Sequence, residues 1–323
     1  MNTKTVFLFS AMLSFSGMAA DWTISVDPSV SLGAIKPVNA VNCGPCSPNS
    51  AQGKAFKAAN IPYARTHDMN HSWRYGGPYV LDISAIFPNF DADETKRENY
   101  DFTLTDKALE WMFKAGTKPF FRLGQSIEPW GKTYHVNPPK DYAKWARICE
   151  KIMAHYTEGW ANGMKWDIKY WEIWNEPDLD KKTWTGTKEE FFEFFKVAVT
   201  HLKARFPNLK IGGPAMAKPL GWKEFFIPAC AKEKVPLDFY SWHRYCSDAR
   251  EASRFGHEVR AWLDKHGYEK TESIFNEWNY VYGWRGGNWR YSRQVEIGTY
   301  NQKAAAYAAA MMVECQNSPI DMA

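Results

Sequence analysis

Two short segments carry carboxylates in a setting suited to acid–base chemistry: YWEIWNEPDL, with Glu176, and SIFNEWNY, with Glu277. In each, an Asn–Glu pair ends an apolar, strand-like run. Two carboxylates facing each other across a cleft are what glycosidic-bond cleavage requires. One must be protonated to help the leaving oxygen depart; the other must be ionised, to attack the anomeric carbon or activate water. Glu172, Trp174 and Glu176 share the two-residue parity of a strand, which predicts Glu176 at the strand end and Glu172 deeper inside as a hydrogen-bonded carboxylate. Trp171 and Trp174 are expected to raise the Glu176 pKa by desolvation, suiting it to the acid role. Arg65 and Tyr245 are the donors expected to keep Glu277 ionised.

A second constellation competes. Cys43 and Cys46 form CGPC, a pattern that can tune a thiolate for disulfide exchange. In redox domains that pattern closes a strand and opens a long helix, whereas here SPNS follows and Pro48 stands two residues past Cys46. A secreted thiol-disulfide oxidoreductase is therefore the weaker reading. Cys43, Cys46, His67 and His71 match no standard zinc spacing, so no metal and no cofactor is expected. His71, His135 and Glu128 carry no signal beyond loop position and default to surface roles.

The elements needed to position the two glutamates are legible. Strand-like runs cover Tyr63–Thr66, Pro119–Leu123, Lys169–Trp174, Leu209–Gly212, Asp238–Trp242 and Ser273–Glu277, with Val38–Asn42 before them and Pro319–Ala323 after. Helical patterns fill the gaps, at Tyr142–Tyr156 after the N-cap candidate Asp141, Lys188–Phe206 before Pro207, and Ala252–His266 before Gly267. Strand alternating with helix, without hairpins, predicts a parallel sheet; eight strand candidates predict a (β/α)8 TIM barrel. An open doubly wound sheet is disfavoured, because no G-x-G-x-x-G loop follows the first strand. Catalytic residues of such barrels stand at the C-terminal ends of strands, where both Asn–Glu pairs fall. The glutamates lie 101 positions apart, about three βα units at roughly 30–35 residues each, on strands four and seven. The eighth strand coincides with the end of the sequence, so the expectation is a barrel truncated in or just after that strand. The long apolar connection from His67 to Thr103 is expected to fold over one end of the barrel.

Bulk properties narrow the partners. The chain has 323 residues, a formal charge of +4 and no basic stripe, which excludes a nucleic-acid footprint. Aromatics make up 16%, including 16 Trp, which suits either a Trp-rich core or sugar-stacking surfaces. Residues 1–20 read as a secretory signal peptide, with Lys4, an apolar run and small residues at Ala19 and Ala20. The mature barrel is then 21–323, secreted or periplasmic, with no membrane span expected.

Taken with WEIWNEP and the later NEW, three further segments resemble glycoside hydrolase family 39, a clan A family that includes β-xylosidases and α-iduronidases. They are KPVNAVNCGP at Lys36–Pro45, ARTHD at Ala64–Asp68 and DFYSWHRY at Asp238–Tyr245. The resemblance implies a carbohydrate substrate and a retaining mechanism, with Glu176 as acid/base and Glu277 as nucleophile. It implies that Asn175 binds the sugar 2-hydroxyl and His67 other hydroxyls. It further implies that His243 and Tyr245 flank the nucleophile and acid, and that Arg65 pairs with the nucleophile or a neighbour. Trp278, with Trp130, Trp284 and Trp289, is a candidate sugar-stacking residue on the catalytic-face loops. RLGQSIEPW at the end of strand three departs from the xylosidase-like pattern and leaves the sugar open. A non-catalytic carbohydrate-binding barrel is the alternative from another class, disfavoured because both Asn–Glu pairs are intact.

Overall fold

The structure is a computed structural model, and it describes residues 27, 29–31, 33–45, 47–69, 79–126, 136–179, 181–281 and 302–323. The expected signal peptide, Cys46, His71, Glu128, Trp130, His135, Trp284 and Trp289 lie outside the described residues. The chain divides into Met1–Ile35 and Lys36–Ala323. In the first unit the Asp27 carboxylate accepts from the Ser29 N–H and hydroxyl at 2.9 and 2.6 Å.

The second unit is an α/β barrel. Seven strands, β1 (Val41–Asn42), β2 (Tyr63–Arg65), β3 (Lys118–Leu123), β4 (Tyr170–Ile173), β5 (Lys210–Met216), β6 (Phe239–His243) and β7 (Glu272–Glu277), pair in parallel in sequence order. The eighth predicted strand contracts to residues 321–323, which still bond to both neighbours. On one side the Phe275 N–H donates to Met322 O at 2.9 Å and the Asp321 N–H to Ser273 O at 2.9 Å; on the other the Ala40 N–H donates to Ala323 O at 3.0 Å. The sheet therefore closes on itself as far as these few bonds reach.

Alternation sorts the strand side chains into two layers. Phe120, Tyr170, Phe239, Ile274 and Met322 fill the interior, with Tyr63 beside them. The opposite parity packs outward beneath the helices: Trp171 stacks on Phe121 at 4.9 Å, and Trp242 on Phe275 at 4.3 Å. Helices follow the strands as the 3.6-residue pattern predicts. α1 (Ala51–Ala58), α2 (Ile83–Ile86) and α3 (Thr103–Lys114) precede β3. Asp141 caps α4 (Tyr142–Thr157) by accepting from the Lys144 N–H at 2.9 Å. Thr187 and Glu190 form a reciprocal capping box on α5 (Lys188–Arg205), satisfying two N–H groups that the first turn cannot. α6 (Phe226–Lys232), α7 (Arg250–Lys265) and α8 (Gln302–Gln316) complete the outer layer among the described residues. No described helix is long and apolar enough to cross a membrane. Much of the Trp content is core: Trp145, Trp171, Trp174, Trp184 and Trp242 are all buried. The described part of the 67–103 connection is also packed, with Val80, Leu81, Ile83, Ile86, Phe87 and Tyr100 buried.

Candidate active site

Two backbone features set the site. Trp174 and Glu176 adopt left-handed conformations, with φ of 73° and 46°. These are uncommon for residues with a Cβ and mark a chain constrained from outside. The first breaks the parity expected from the sequence. Glu172 points inward as predicted, but Trp174 turns outward among Trp184, Phe194 and Trp145, at ring distances of 5.4, 5.4 and 6.5 Å. The Trp174 ring therefore packs outward under the helices, against the parity expected from the sequence.

The second feature is the end of β5, where the pairing register to β6 shifts between Gly213 and Met216. Gly213 has φ 138°, and a Cβ there would lie 2.7 Å from the Ile173 carbonyl oxygen, so only glycine fits. The irregular backbone turns the Ala215 carbonyl toward the loop after β4, where it accepts the Glu176 N–H at 2.8 Å.

Six of the eight side chains singled out from the sequence meet in one group joined by hydrogen bonds and ion pairs. Arg65, from β2, is its hub. Its Nε donates to Glu172 Oε2 at 2.6 Å, Nη2 to Asn175 Oδ1 at 2.7 Å, and Nη1 to Glu277 Oε2 at 3.2 Å and to Asn42 Oδ1 at 3.3 Å. Tyr245 donates its phenol to Glu277 Oε1 at 2.6 Å. His243, on β6, stands between the glutamates, with Nδ1 2.8 Å from Glu176 Oε1 and 3.5 Å from Glu277 Oε2. His67 lies at the end of β2, buried, with Nε2 3.3 Å from Asp68. Trp278 is half-buried, 6.2 Å from Tyr307 ring to ring, and lines a cavity of about 240 Å³ together with Asn42, Arg65 and Glu277.

Electrostatics separate the two glutamates. Burial, reinforced by the nearby Glu277 charge, pushes the Glu176 carboxyl above the ordinary range despite the hydrogen bond from His243. Burial also pushes Glu277 upward, but the charges of His243 and Arg65 and the Tyr245 phenol outweigh it and hold that carboxyl low. His243 is pushed down by burial and carried above its usual value by the two glutamates. Burial, together with the Arg65 and Arg122 charges, keeps His67 well below its usual value, so it is a neutral imidazole. Buried polar atoms at the site without a hydrogen-bond partner among the described residues include Asn175 Nδ2, His67 Nδ1, His243 Nε2 and Asn276 Oδ1.

Glu176, His243 and Glu277 each bring one oxygen or nitrogen within 4.8 Å of the others. Such a set can in principle hold a cation. Metal-binding imidazoles, however, ordinarily anchor their second nitrogen, and the His243 Nε2 has no such anchor among the described residues.

The family model for "Glycosyl hydrolases family 39" matches residues 22–278. The chain belongs to glycosyl hydrolase family 39. It is 27% identical over 225 residues to a beta-xylosidase of Geobacillus stearothermophilus, covering 65% of this chain and 44% of that protein. It is 32% identical over 185 residues to a beta-xylosidase of Caldicellulosiruptor saccharolyticus, covering 54% of this chain and 36% of the relative. The chain thus spans less than half the length of either curated relative. Among solved structures it resembles a glucosidase from Croceicoccus marinus, with TM-score 0.72 and 25% identity over 90% of this chain and 60% of that one. It shares the fold of a GH39 beta-xylosidase from Caulobacter crescentus, with TM-score 0.62 and 20% identity over 90% of this chain and 63% of that one.

Within this family 39 chain the CGPC segment has an unreactive first member. The Cys43 thiol donates to the His67 carbonyl at 2.8 Å, and burial pushes it up to about 12. A thiol that stays protonated at neutral pH is not the nucleophile of exchange chemistry. Sequence reasoning missed three groups that complete the site: Asn42, Ser241 and Asn276. Ser241 Oγ and Asn276 Nδ2 each donate to Glu172 Oε1 at 2.6 Å. Their signal was position alone, inward parity on β6 and β7 and the end of β1.

Proposed function

We propose that the chain is a retaining, β-xylosidase-like O-glycoside hydrolase acting on an oligo- or polysaccharide. Glu176 protonates the leaving oxygen while Glu277 attacks the anomeric carbon and forms a covalent glycosyl intermediate. Glu176 then takes a proton from water as that water displaces Glu277. One observation carries the reading: an oxygen of Glu176 and an oxygen of Glu277 lie within 4.8 Å, and their surroundings push the two carboxyls in opposite directions. Retaining enzymes need carboxyls about 5–5.5 Å apart, whereas inverting ones need about 6.5–9.5 Å to seat a water.

The remaining residues follow from their free valences. Asn175 is oriented by Arg65 through its oxygen, which leaves its amide hydrogens for a sugar hydroxyl. Neutral His67 has Nδ1 unpartnered among the described residues and offers a second hydroxyl contact. Tyr245 and Arg65 hold the nucleophile's two oxygens, so its attacking lone pair is aimed. Trp278 offers an apolar edge beside Glu277. An export signal at residues 1–20 suits an enzyme whose polymeric substrate lies outside the cell.

The test is intact-protein mass after incubation with activated 2-deoxy-2-fluoro glycosides of xylose, glucose, galactose, arabinose and uronic sugars. A one-sugar adduct that is absent in Glu277→Gln is expected, and names the sugar. An adduct that persists in Glu277→Gln overturns the nucleophile assignment.

A further inference from the structure

The loop that carries Glu176 is fastened to the end of β5 at two points. The Glu176 N–H donates to Ala215 O at 2.8 Å, and two residues along each chain the Ala217 N–H donates to Asp178 Oδ1 at 2.8 Å. The same loop is closed on itself by the Leu179 N–H and the Thr183 hydroxyl, both donating to the Glu176 carbonyl. Asp178 is therefore half of the clamp that aims the Glu176 backbone.

Its other oxygen is harder to explain by folding alone. Oδ2 is buried and has no hydrogen-bond donor among the described residues. The wall over it is closed, since a Cβ on Gly221 would stand 2.3 Å from Oδ2 and 3.1 Å from the Met216 sulfur. An undonated buried carboxylate oxygen costs stability, whereas an Asn or Ser would accept the same Ala217 N–H without a charge. The groups such a charge would act on are its titratable neighbours. Charged and titratable groups reach Glu176 from β6 (His243), β7 (Glu277), β2 (Arg65) and its own loop (Asp178). Around Asp178 stand His243, Lys218 after β5 and the Tyr240 phenol on β6. His243 and Arg65 favour an ionised Glu176; Glu277 and Asp178 oppose it.

We propose that Asp178 is a positioning residue for Glu176, clamping its loop to β5 and setting beside the acid a carboxylate whose charge, when ionised, opposes ionisation of Glu176. This rests on the reading of Glu176 as the acid/base. Burial pushes the Asp178 carboxyl itself upward, against the Ala217 N–H, His243 and Lys218. The charge is thus fullest toward alkaline pH, where an acid must hold its proton longest.

The test follows the Glu176 carboxyl directly, by infrared titration of the band lost in Glu176→Gln, in the native chain and in Asp178→Asn. In Asp178→Asn, which keeps the acceptor but drops the charge, Glu176 is expected to ionise at lower pH. The basic limb of kcat/KM for a phenyl glycoside moves the same way. Asp178→Ala, which also removes the clamp, loses about tenfold in kcat. Should Asp178→Asn fail to fold, Asp178→Ser is read in its place. An unchanged Glu176 titration in the folded variant overturns the proposal. Full activity in Glu176→Gln sinks instead the acid/base reading, and the infrared result still decides what Asp178 does to its neighbour.

Discussion

Arg65 Nε lies 2.6 Å from Glu172 Oε2, and both side chains are buried. Glu172 is saturated by this bond and by Ser241 and Asn276, so it fixes the plane of the guanidinium whose other nitrogens reach Asn175 and Glu277. Replacing the carboxylate leaves a buried cation with only the more distant Glu277 as counter-charge among the described residues, and an orienting fork without its anchor. Glu172→Gln is therefore expected to cost about 3 kcal/mol in urea unfolding and to lower kcat as well as stability. Native stability in that variant would show that the pair is dispensable.

With Glu277 as the proposed nucleophile and Glu176 as the proposed acid, the acid limb of activity is expected to follow Glu277. Its carboxyl is held low, so it is ionised through most of the acidic range, and activity rises as pH climbs through that depressed value. Tyr245→Phe removes one of the donors that hold it there. The acid limb of kcat/KM should move to higher pH in that variant, with the basic limb, set by Glu176, left in place. A limb that stays put assigns the low value to Arg65 and His243 alone.

Glu176 has the opposite sign, with a consequence for stability. A carboxyl raised in the fold contributes stability below its unfolded value, and that contribution is lost as pH rises through the folded value. Gln cannot ionise, and its amide oxygen can still accept from His243. Across melts from about pH 4 to 9, Glu176→Gln should gain on the native chain as pH rises, and be the more stable at the alkaline end. Parallel Tm curves for the two would mean that Glu176 is not strained by its own charge.

Cys43 tests the redox alternative. Its thiol is protonated and occupied with the His67 carbonyl, a bond that a serine hydroxyl can also make. Cys43→Ser should keep kcat/KM within about twofold, a change smaller than 0.5 kcal/mol in transition-state stabilisation. Thiol reductants should not alter the native rate. Loss of activity in Cys43→Ser, restored by no other change, would count against the glycosidase reading.

What was legible in the sequence is what short-range physics writes there. Apolar runs between 3.6-residue patterns marked β2 to β7 and the main helices, because burying one stripe or one strand imposes its own period. Each Asn–Glu pair could be placed at a strand end for the same reason. The parity of Trp174 was misread because two left-handed residues interrupt the alternation, and their backbone partners lie on other strands: the Trp174 N–H donates to Leu123 O on β3 and the Glu176 N–H to Ala215 O on β5. The eighth strand was drawn too long, since its pairing is set by the edges of β1 and β7 and not by its own five residues.

The amino-acid sequence by itself determined the alternation of strands and helices, the barrel, and which two glutamates stand at strand ends. Only the tertiary structure decided their chemistry. A carboxyl's pKa depends on the charges and donors within a few ångströms, and here those arrive from β2, β4, β6 and β7 at once. His243 between the two acids, Arg65 held by Glu172, and Asp178 behind Glu176 are neighbours only once the sheet has closed.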